Sequence, residues 1–256
     1  MNLETIFKII YTINILTFLF IIIEYFYSRY KKDDIHYLYG TFNNFINGLV
    51  MKYLLGSAAS IYFFYLVSLS YNYTQIPQTK EMLLLQIISC LILYDFFNYL
   101  FHIAHHYFNF LWMFHHVHHS DKHFNLSTSH RFPFVEKLYN ATPCLPLLLI
   151  GFNPYIVLLS FSIHSIYAFF GHSQYIKLPH FLTYIFTTPE IHKIHHDINH
   201  LNKNYGVMFT IWDRMFGTYV DKIDNFTPGI KGYHQDNFIL MQTDPIVEYF
   251  KNKKWK

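Results

Sequence analysis

Charged side chains are scarce in this chain. Asp, Glu, Lys and Arg make up 14% of its 256 residues, whereas soluble domains carry ~25%. The apolar share is 52%, with 28 Phe and 23 Tyr. A soluble domain needs more charge to cover its surface, so the composition predicts one domain embedded in a bilayer. A net charge of +3 gives no basis for a nucleic-acid partner.

Cysteines are few, and several common catalytic motifs are missing. Only Cys90 and Cys144 occur, both in apolar surroundings. This excludes a disulfide framework and a cysteine metal site, and it predicts buried, reduced thiols. The sequence has no HExxH motif, no P-loop, no glycine-rich dinucleotide fingerprint and no G-x-S-x-G motif. The enzyme classes that depend on these motifs are therefore excluded.

Histidine, in contrast, is abundant, with 18 in the chain, and many of the histidines are clustered. An HxxxH pattern precedes one HxxHH pattern, and a second HxxHH follows much later. Spacings of three and four place side chains on one helical face. Imidazoles grouped in this way predict a metal site. The residues are His102, His106, His115, His118, His119, His192, His195 and His196.

Two further residues extend this site. His172 ends the apolar stretch between the clusters, and we expect it to return to the same surface as a ninth ligand. Nine imidazoles suit two ions, and sites built from imidazole alone fit iron, zinc or copper. Asp95 lies on the same helical stripe as His102, inside an apolar helix. We expect its carboxylate to accept a hydrogen bond from a ligand imidazole or to lie near the metal charge. The alternative is a bond to a neighbouring helix.

Four apolar stretches predict membrane segments: residues 6–23, 49–71, 82–101 and 138–171. The last lies between the histidine clusters and is expected to be a re-entrant hairpin, which returns the chain to the same membrane side. Lys52 is expected to snorkel towards water. Basic residues after the first span and at the C-terminus are expected to place these two segments on the cytoplasmic side. Two further crossings then return the histidines to that side. The membrane is then the endoplasmic reticulum in a eukaryote or the inner membrane in a bacterium, and Asn72-Tyr73-Thr74 lies on the opposite side.

Residues 85 to 222 resemble the fatty acid hydroxylase and sterol desaturase superfamily of membrane non-haem di-iron enzymes. The order and spacing of the motifs carry the resemblance, and the Asn-Leu-Ser-Thr and Lys-Asn-Tyr segments look most like the alkylglycerol monooxygenase branch. The matching segments are Asp95, His102-x-x-x-His106, Leu111-Trp112, His115-x-x-His118-His119-Ser120, Asn125-Leu126-Ser127-Thr128, Arg131, Gly171-His172-Ser173, Thr188-Pro189, His192-x-x-His195-His196, Lys203-Asn204-Tyr205-Gly206 and Trp212-Asp213-Arg214-Met215-Phe216-Gly217-Thr218.

This resemblance implies an all-α fold: an integral membrane helical bundle with a cytosolic, histidine-rich di-metal cap. It divides the chain into N-terminal membrane anchor helices (1–81), a catalytic domain (82–222) and a C-terminal basic tail (223–256). It implies an O2-dependent lipid monooxygenase with two Fe ions and an external electron donor, either a tetrahydropterin or a cytochrome b5 type protein. Asn204 and Tyr205 are expected to bind the cofactor or substrate, or else to form a turn at Gly206.

The sequence also departs from the family. Many members carry Arg where this chain has Ile103, and His-Pro where it has Pro133-Phe134 before Glu136. The substrate branch therefore stays open between a lipid hydroxylase, an ether-lipid oxidase and a sterol or fatty-acyl desaturase. A membrane metal transporter is the alternative from another class, but transporters line a path at mid-depth in repeated halves, and no repeat is visible here.

Several residues near the motifs receive smaller roles. Glu136, Glu190 and Asp197 are candidates, like Asp95, to support the ligands from behind, with surface or capping roles as alternatives. Asp213 and Arg214 are expected to form a structural ion pair. His123, His130 and His164 are further ligand candidates, and His105 is not dismissed. His116 breaks the cluster phase, and we expect ordinary interfacial or loop roles for His36, His180, His200 and His234.

Overall fold

The computed structural model describes residues 3–33, 38–53, 56–70, 76, 77, 79 and 81–251. Within these ranges the chain forms α-helices and two 3₁₀ helices, with isolated β-bridges but no strand. This confirms the all-α prediction. The helices are α1 (Leu3–Lys31), α2 (Leu38–Tyr53), α3 (Gly56–Leu69), α4 (Leu83–Tyr107), α5 (Asn109–His119), α6 (Phe134–Tyr139), α7 (Cys144–Ile150), α8 (Pro154–Gly171), α9 (Pro189–His195), α10 (Ile211–Phe216) and α11 (Phe238–Phe250), with 3₁₀ helices at Leu126–His130 and His180–Tyr184.

Two of the described helices, α4 and α8, are long and apolar enough to cross a membrane. They lie against each other and, with α3 and α7, enclose an apolar core. Cys90 and Cys144 are both buried in this core as free thiols, as predicted. Large apolar side chains on the outer surfaces of α1, α3 and α4 remain exposed.

The observed helices follow three of the four apolar stretches. Residues 6–23 fall within α1, residues 82–101 within α4, and the hairpin becomes a short α7 and a longer α8. Gly151 separates these two helices with a φ of 104°, a left-handed conformation that glycine adopts without a Cβ clash. The stretch 49–71 falls on the end of α2 and on α3, with residues 54 and 55 outside the described part.

α2 also has a polar face, which precedes the predicted apolar stretch 49–71. Asn44 and Asn47 are buried and contact the segment around the first 3₁₀ helix. The Asn44 amide donates to Asp121 and Ser127, and the Asn47 amide donates to the carbonyl oxygens of His130 and Phe132. This part of the predicted anchor region therefore packs on the histidine-bearing part of the fold.

The predicted basic tail also contains folded structure. α11 packs against α5, and Met241 and Tyr233 share an apolar cluster with Trp112 and Val117. The final lysines at 253, 254 and 256 lie outside the described residues.

Candidate metal centre

The candidate ligands are carried by the ends of helices. His102 and His106 lie one turn apart at the C-terminal end of α4, which continues the apolar helix as predicted. His115, His118 and His119 occupy the last turns of α5. Because residues three and four apart share a helical face, each helix directs several rings to one side.

The second HxxHH lies on α9, which begins at Pro189. Thr188 is the extended N-cap residue and Pro189 is the first helical residue, where its missing N–H costs nothing. The Thr188 side chain makes no capping hydrogen bond. His196 is the C-cap of α9, and His172 is the C-cap of α8. The remaining rings therefore come from helix ends on other parts of the chain.

The structure brings the nine predicted histidines into two groups. Within each group the nearest ring nitrogens all lie within 4.8 Å of one another, and the rings are buried. The groups are adjacent, since the rings of His119 and His196 stack with centroids 4.4 Å apart. One group contains His102, His106, His115, His119 and His195, and the other contains His118, His172, His192 and His196.

Hydrogen bonds fix the tautomers in the five-histidine group. Nδ1 of His102 donates to the Tyr205 carbonyl at 2.8 Å, and Nδ1 of His195 donates to the Lys203 carbonyl at 2.7 Å. A neutral imidazole carries only one N–H, so the Nε2 atoms of both rings present lone pairs. These two Nε2 atoms are 3.0 Å apart. Two facing lone pairs repel each other unless a cation lies between them, so this arrangement fits a metal ion.

His115 extends the same pattern. Its Nδ1 lies 2.7 Å from Oε1 of Glu136, and its Nε2 lies 3.1 Å from Nε2 of His102. In the four-histidine group, Nδ1 of His172 donates to the Ala168 carbonyl. Its Nε2 lies 3.2 Å from Nε2 of His192 and 3.3 Å from Nε2 of His118. Ring nitrogens thus converge in both groups, and the residues fit one cation in each.

The electrostatics of the site keep the rings neutral. Burial and the neighbouring imidazoles hold the pKa values of His115, His118, His119, His192 and His196 well below their usual range. Burial lowers the pKa of His195 to about 4. Metal ligation requires deprotonated nitrogens, so the site is ready for cations near neutral pH.

Glu136, rather than Asp95, bonds a candidate ligand. Its side chain is buried, accepts the His115 N–H and lies 3.8 Å from Nε2 of His105. Burial raises the pKa of the Glu136 carboxyl to about 8, so the charged form that accepts the His115 N–H needs the positive charge of a metal ion nearby. A carboxylate bound to the far nitrogen of a ligand histidine fixes the ring and raises its basicity.

The expected hydrogen bond from a ligand imidazole to Asp95 is not formed. Asp95 instead accepts from Nε2 of His164, from the backbone N–H groups of Met208 and Phe209, and from Nε1 of Trp212. This agrees with the alternative of a bond to neighbouring elements. The partners of Asp95 are distant in sequence and could not be read from helical spacing.

Asn204 is occupied by the backbone and is not available to a cofactor. Its amide donates to the carbonyls of Ile191 and Val220 and accepts from the Val220 N–H. The left-handed backbone conformation of this turn is adopted by Asn204, with a φ of 52°. Gly206 is needed for a different reason, since a Cβ there would lie 2.5 Å from the Phe209 carbonyl oxygen.

Tyr205 contacts the five-histidine group directly. Its carbonyl accepts the His102 N–H, and its ring lies 5.1 Å from the ring of His106 between centroids. Tyr205 therefore orients ligands, whereas its predicted contact with an electron-donating cofactor stays a prediction.

The predicted ion pair between Asp213 and Arg214 is wrong. The Asp213 carboxylate accepts from the N–H groups of Tyr205 and Gly206. Arg214 donates to the Thr183 carbonyl and lies 3.7 Å above the Tyr219 ring. Asp213 therefore holds the loop that orients His102, which agrees with the predicted structural role but uses backbone partners.

None of the three further ligand candidates, His123, His130 and His164, belongs to either metal group among the described residues. Two of the remaining histidines have other contacts: His105 bonds the Phe101 carbonyl, and His116 bonds the Trp112 carbonyl. His180 and His200 lie beside Asp221 and Asp197. His36 lies outside the described residues.

Two buried groups received no role in the sequence analysis. Glu24 of α1 accepts hydrogen bonds from the Leu126 N–H, the Ser173 hydroxyl and the Gln174 N–H, so it joins the first 3₁₀ helix to the loop after His172. An acid at the end of an apolar stretch is the signal that was overlooked. Arg131 is fully buried and donates to Asn44, Ser120 and Asp236, so it links α2 and the C-terminal segment to α5.

Comparison with known proteins gives related lipid enzymes. The chain is 34% identical to alkylglycerol monooxygenase from Danio rerio over 138 residues, which cover 53% of this chain and 31% of the relative. It is 32% identical to the Caenorhabditis elegans alkylglycerol monooxygenase, covering 64% of this chain and 32% of the relative. Ornithine lipid hydroxylase OlsE from Rhizobium tropici is 31% identical, and the match covers 63% of this chain and 50% of the relative.

The chain spans about a third of the length of the alkylglycerol monooxygenases that it matches. No solved structure matches it. The family model for fatty acid hydroxylase matches residues 87–218, about half of the chain, and this range contains the nine histidines of the two groups. The resemblance seen in the sequence is confirmed, and the chain belongs to the fatty acid hydroxylase family.

Proposed function

We propose that this chain is a membrane-bound di-iron oxygenase that uses O2 to hydroxylate a C–H bond of a lipid. One observation carries the proposal: nine buried imidazoles lie in two adjacent groups, with nitrogen lone pairs converging in each. All nine histidines are proposed ligands of two irons. Imidazole suits iron among other metals, and membership of the family favours iron.

The proposed reaction needs both metal chemistry and an external reductant. Bound iron would supply activation of O2 against an unactivated C–H bond. Overall, one oxygen atom of O2 enters the C–H bond, and the other is reduced to water with two electrons and two protons. The electrons come from outside the chain, from a tetrahydropterin or a cytochrome b5 type donor. Tyr205 borders the five-histidine group and is our candidate contact for that donor.

The protein's own contribution is to hold the rings in place. The carbonyls of Tyr205, Lys203 and Ala168 and the carboxylate of Glu136 each bind an Nδ1 atom. Each bond fixes both the tautomer and the orientation of one ring. The burial of all nine rings also limits the access of water to a reactive centre.

A bilayer location supports a lipid substrate. α4 and α8 have the length and composition of membrane spans, and exposed apolar side chains cover α1, α3 and α4, which is typical of a lipid-facing surface. We place the chain in a membrane as a helical bundle with the histidines towards the cytoplasm. That membrane is the endoplasmic reticulum in a eukaryote or the inner membrane in a bacterium.

Within lipids, oxidation of an ether lipid beside its ether oxygen is the finer proposal. It rests on the similarity to alkylglycerol monooxygenases. The similarity to an ornithine lipid hydroxylase supports only lipid hydroxylation in general. Supplying the purified protein with either alkylglycerol or acylglycerol, together with each reductant and O2, separates these cases, because an ether-lipid oxidase consumes the alkylglycerol and not the acylglycerol.

Replacement of one histidine in each group tests the proposed function. We expect His118→Ala and His195→Ala to lose iron and lipid-dependent O2 consumption together, because each removes a lone pair from a converging set. Iron per chain is measured by mass spectrometry and O2 uptake with an electrode. The exposed His180 provides the control variant, His180→Ala, which should keep both. Normal activity in His118→Ala or His195→Ala would refute the assignment, and a desaturated product would favour a desaturase.

A further inference from the structure

Lys52 has an unusual position at the C-terminal end of α2. The expected snorkelling does not occur: its ammonium is buried and has no hydrogen-bond partner. The ammonium lies 5.1 Å from the ring centroid of Phe18 and 5.7 Å from that of Tyr53. Aromatic faces attract a cation, but they carry no negative charge to neutralise it. A buried ammonium without an anion is costly, so the site is electrostatically incomplete.

Further basic groups surround this ammonium. Lys137 of α6 is close enough to Lys52 for their positive charges to repel each other. The positive charges of both lysines also disfavour a positive charge on His130. The His130 ring stacks on Phe18 with centroids 5.1 Å apart. Nε2 of His130 is buried and, like the Lys52 ammonium, has no hydrogen-bond partner. Three basic side chains from three elements therefore surround one region.

The acid closest in sequence to this cluster is committed elsewhere. Glu136 precedes Lys137, but its Oε1 accepts the His115 N–H at 2.7 Å. Glu136 also attracts the Lys137 ammonium, but consecutive residues of a helix project about 100° apart, so the two side chains leave α6 in different directions. α6 thus connects to both sites, through Glu136 to His115 and through Lys137 to the basic cluster.

We propose that Lys52, Lys137 and His130 bind the anionic head group of a lipid, a phosphate or a carboxylate. The lysines supply charge, and His130 supplies a hydrogen-bonding nitrogen that has no partner at present. A lipid is favoured over a free anion because the site is bordered by Phe18 and by Tyr53, which is 54% exposed. In the proposed function, on which this part rests, that lipid is the substrate, and its chain starts close to the metal centre.

The test is a binding measurement on the iron-loaded, full-length protein in neutral detergent. The probes are lysophosphatidic acid, monoacylglycerol with the same chain, and inorganic phosphate. We expect the protein to bind lysophosphatidic acid at least about tenfold more tightly than monoacylglycerol, as a charge-assisted hydrogen bond provides. Lys52→Gln and Lys137→Gln should each remove most of this preference. Lys52→Arg should retain it, as should the exposed-surface control Lys231→Gln.

The outcomes separate the possible sources of the anion. Equal affinity for charged and neutral lipid in the unmodified protein would overturn the proposal, as would an undiminished preference in Lys52→Gln. Inorganic phosphate that binds as tightly as the charged lipid would assign the site to a free anion, which also overturns it. Thermal unfolding checks the variants without lipid: because Lys52→Gln removes an unpaired buried charge, it should not lower the Tm, and a marked loss would indicate a structural role instead.

Binding does not require turnover, so this test is separate from that of the proposed function. A charge preference lost in Lys52→Gln supports the site even if no lipid is oxidised. If the lipid is oxidised, the same variant should raise KM for charged substrates more than for neutral ones.

Discussion

At the scale of single residues, the contact between Glu136 and His115 is the sharpest link between the metal centre and its surroundings. A carboxylate on the far nitrogen of a ligand orients the ring and strengthens its lone pair, and its loss costs metal affinity. We expect Glu136→Ala to bind iron about 10–100-fold more weakly. The iron affinity of Glu136→Gln should lie between those of the unmodified protein and Glu136→Ala, because the Gln amide oxygen can still accept the His115 N–H.

Competition with a chelator measures this affinity, and Mössbauer or EPR spectra report the iron environment independently of turnover. Glu190 is the matched control, since it is an acid of the same type near the second cluster but is exposed on α9. Glu190→Ala should leave both readouts unchanged. If Glu136→Ala keeps full affinity and an unchanged spectrum, Glu136 has no positioning role.

At the scale of elements, Asp95 joins α4 to the segment that begins α10. Its two oxygens accept from His164 and from the N–H groups of Met208, Phe209 and Trp212. In Asp95→Asn, one oxygen becomes an NH2 group that faces donors. We expect a loss of about 3 kcal/mol of unfolding free energy, which corresponds to roughly 6–12 °C in Tm.

Thermal unfolding of the iron-loaded protein in detergent measures this loss. Asp224→Asn is the control, because Asp224 is an exposed acid. A selective loss of iron with an unchanged Tm would instead return Asp95 to the metal-supporting role expected from the sequence.

The C-terminal segment is joined to α5 by a pH-sensitive contact. Nε2 of His234 lies 2.9 Å from Asp236, and its Nδ1 lies 3.0 Å from the Ser120 carbonyl. The hydrogen bond to Asp236 raises the pKa of His234 against the opposing effect of burial. A raised pKa stabilises the fold fully below the ordinary pKa of histidine, and this stabilisation is lost as the pH rises through the raised value.

We therefore expect His234→Gln to lower the Tm by ~2 °C in mildly acidic buffer. The difference in Tm from the unmodified protein should shrink in alkaline buffer, where His234 is neutral in both the folded and the unfolded protein. Melting curves at several pH values provide the measurement. A difference that is constant with pH would mean that the imidazolium–carboxylate attraction contributes nothing.

At the scale of the whole molecule, sequence patterns predicted the features that depend on residues close together in the chain. The spacing of His115, His118 and His119 placed their rings on one helix, but their division between the two groups was not predicted. Partners distant in sequence were not predictable in this way: Asp95 meets His164, and Asn204 meets Val220. The packing of α2 was not predictable either, because its buried Asn44 and Asn47 bond polar groups that are distant in sequence.

The metal centre should also govern the stability of the whole fold. Its proposed ligands come from α4, α5, α9 and the C-cap of α8, so bound metal would connect segments from most of the family-matching region. A ligand that binds only the folded state stabilises it by mass action. We expect removal of iron with a chelator to lower the Tm by roughly 10 °C, as tight binding predicts.

The variant His195→Ala tests whether this stabilisation acts through the proposed ligands. If it does, chelation should shift the Tm of His195→Ala much less than that of the unmodified protein. His180→Ala should respond to the chelator like the unmodified protein, and adding iron back should restore the Tm of both. An equal chelator shift in His195→Ala would show that the stabilising ion is held elsewhere, because the five-histidine group would then have lost a ligand without consequence.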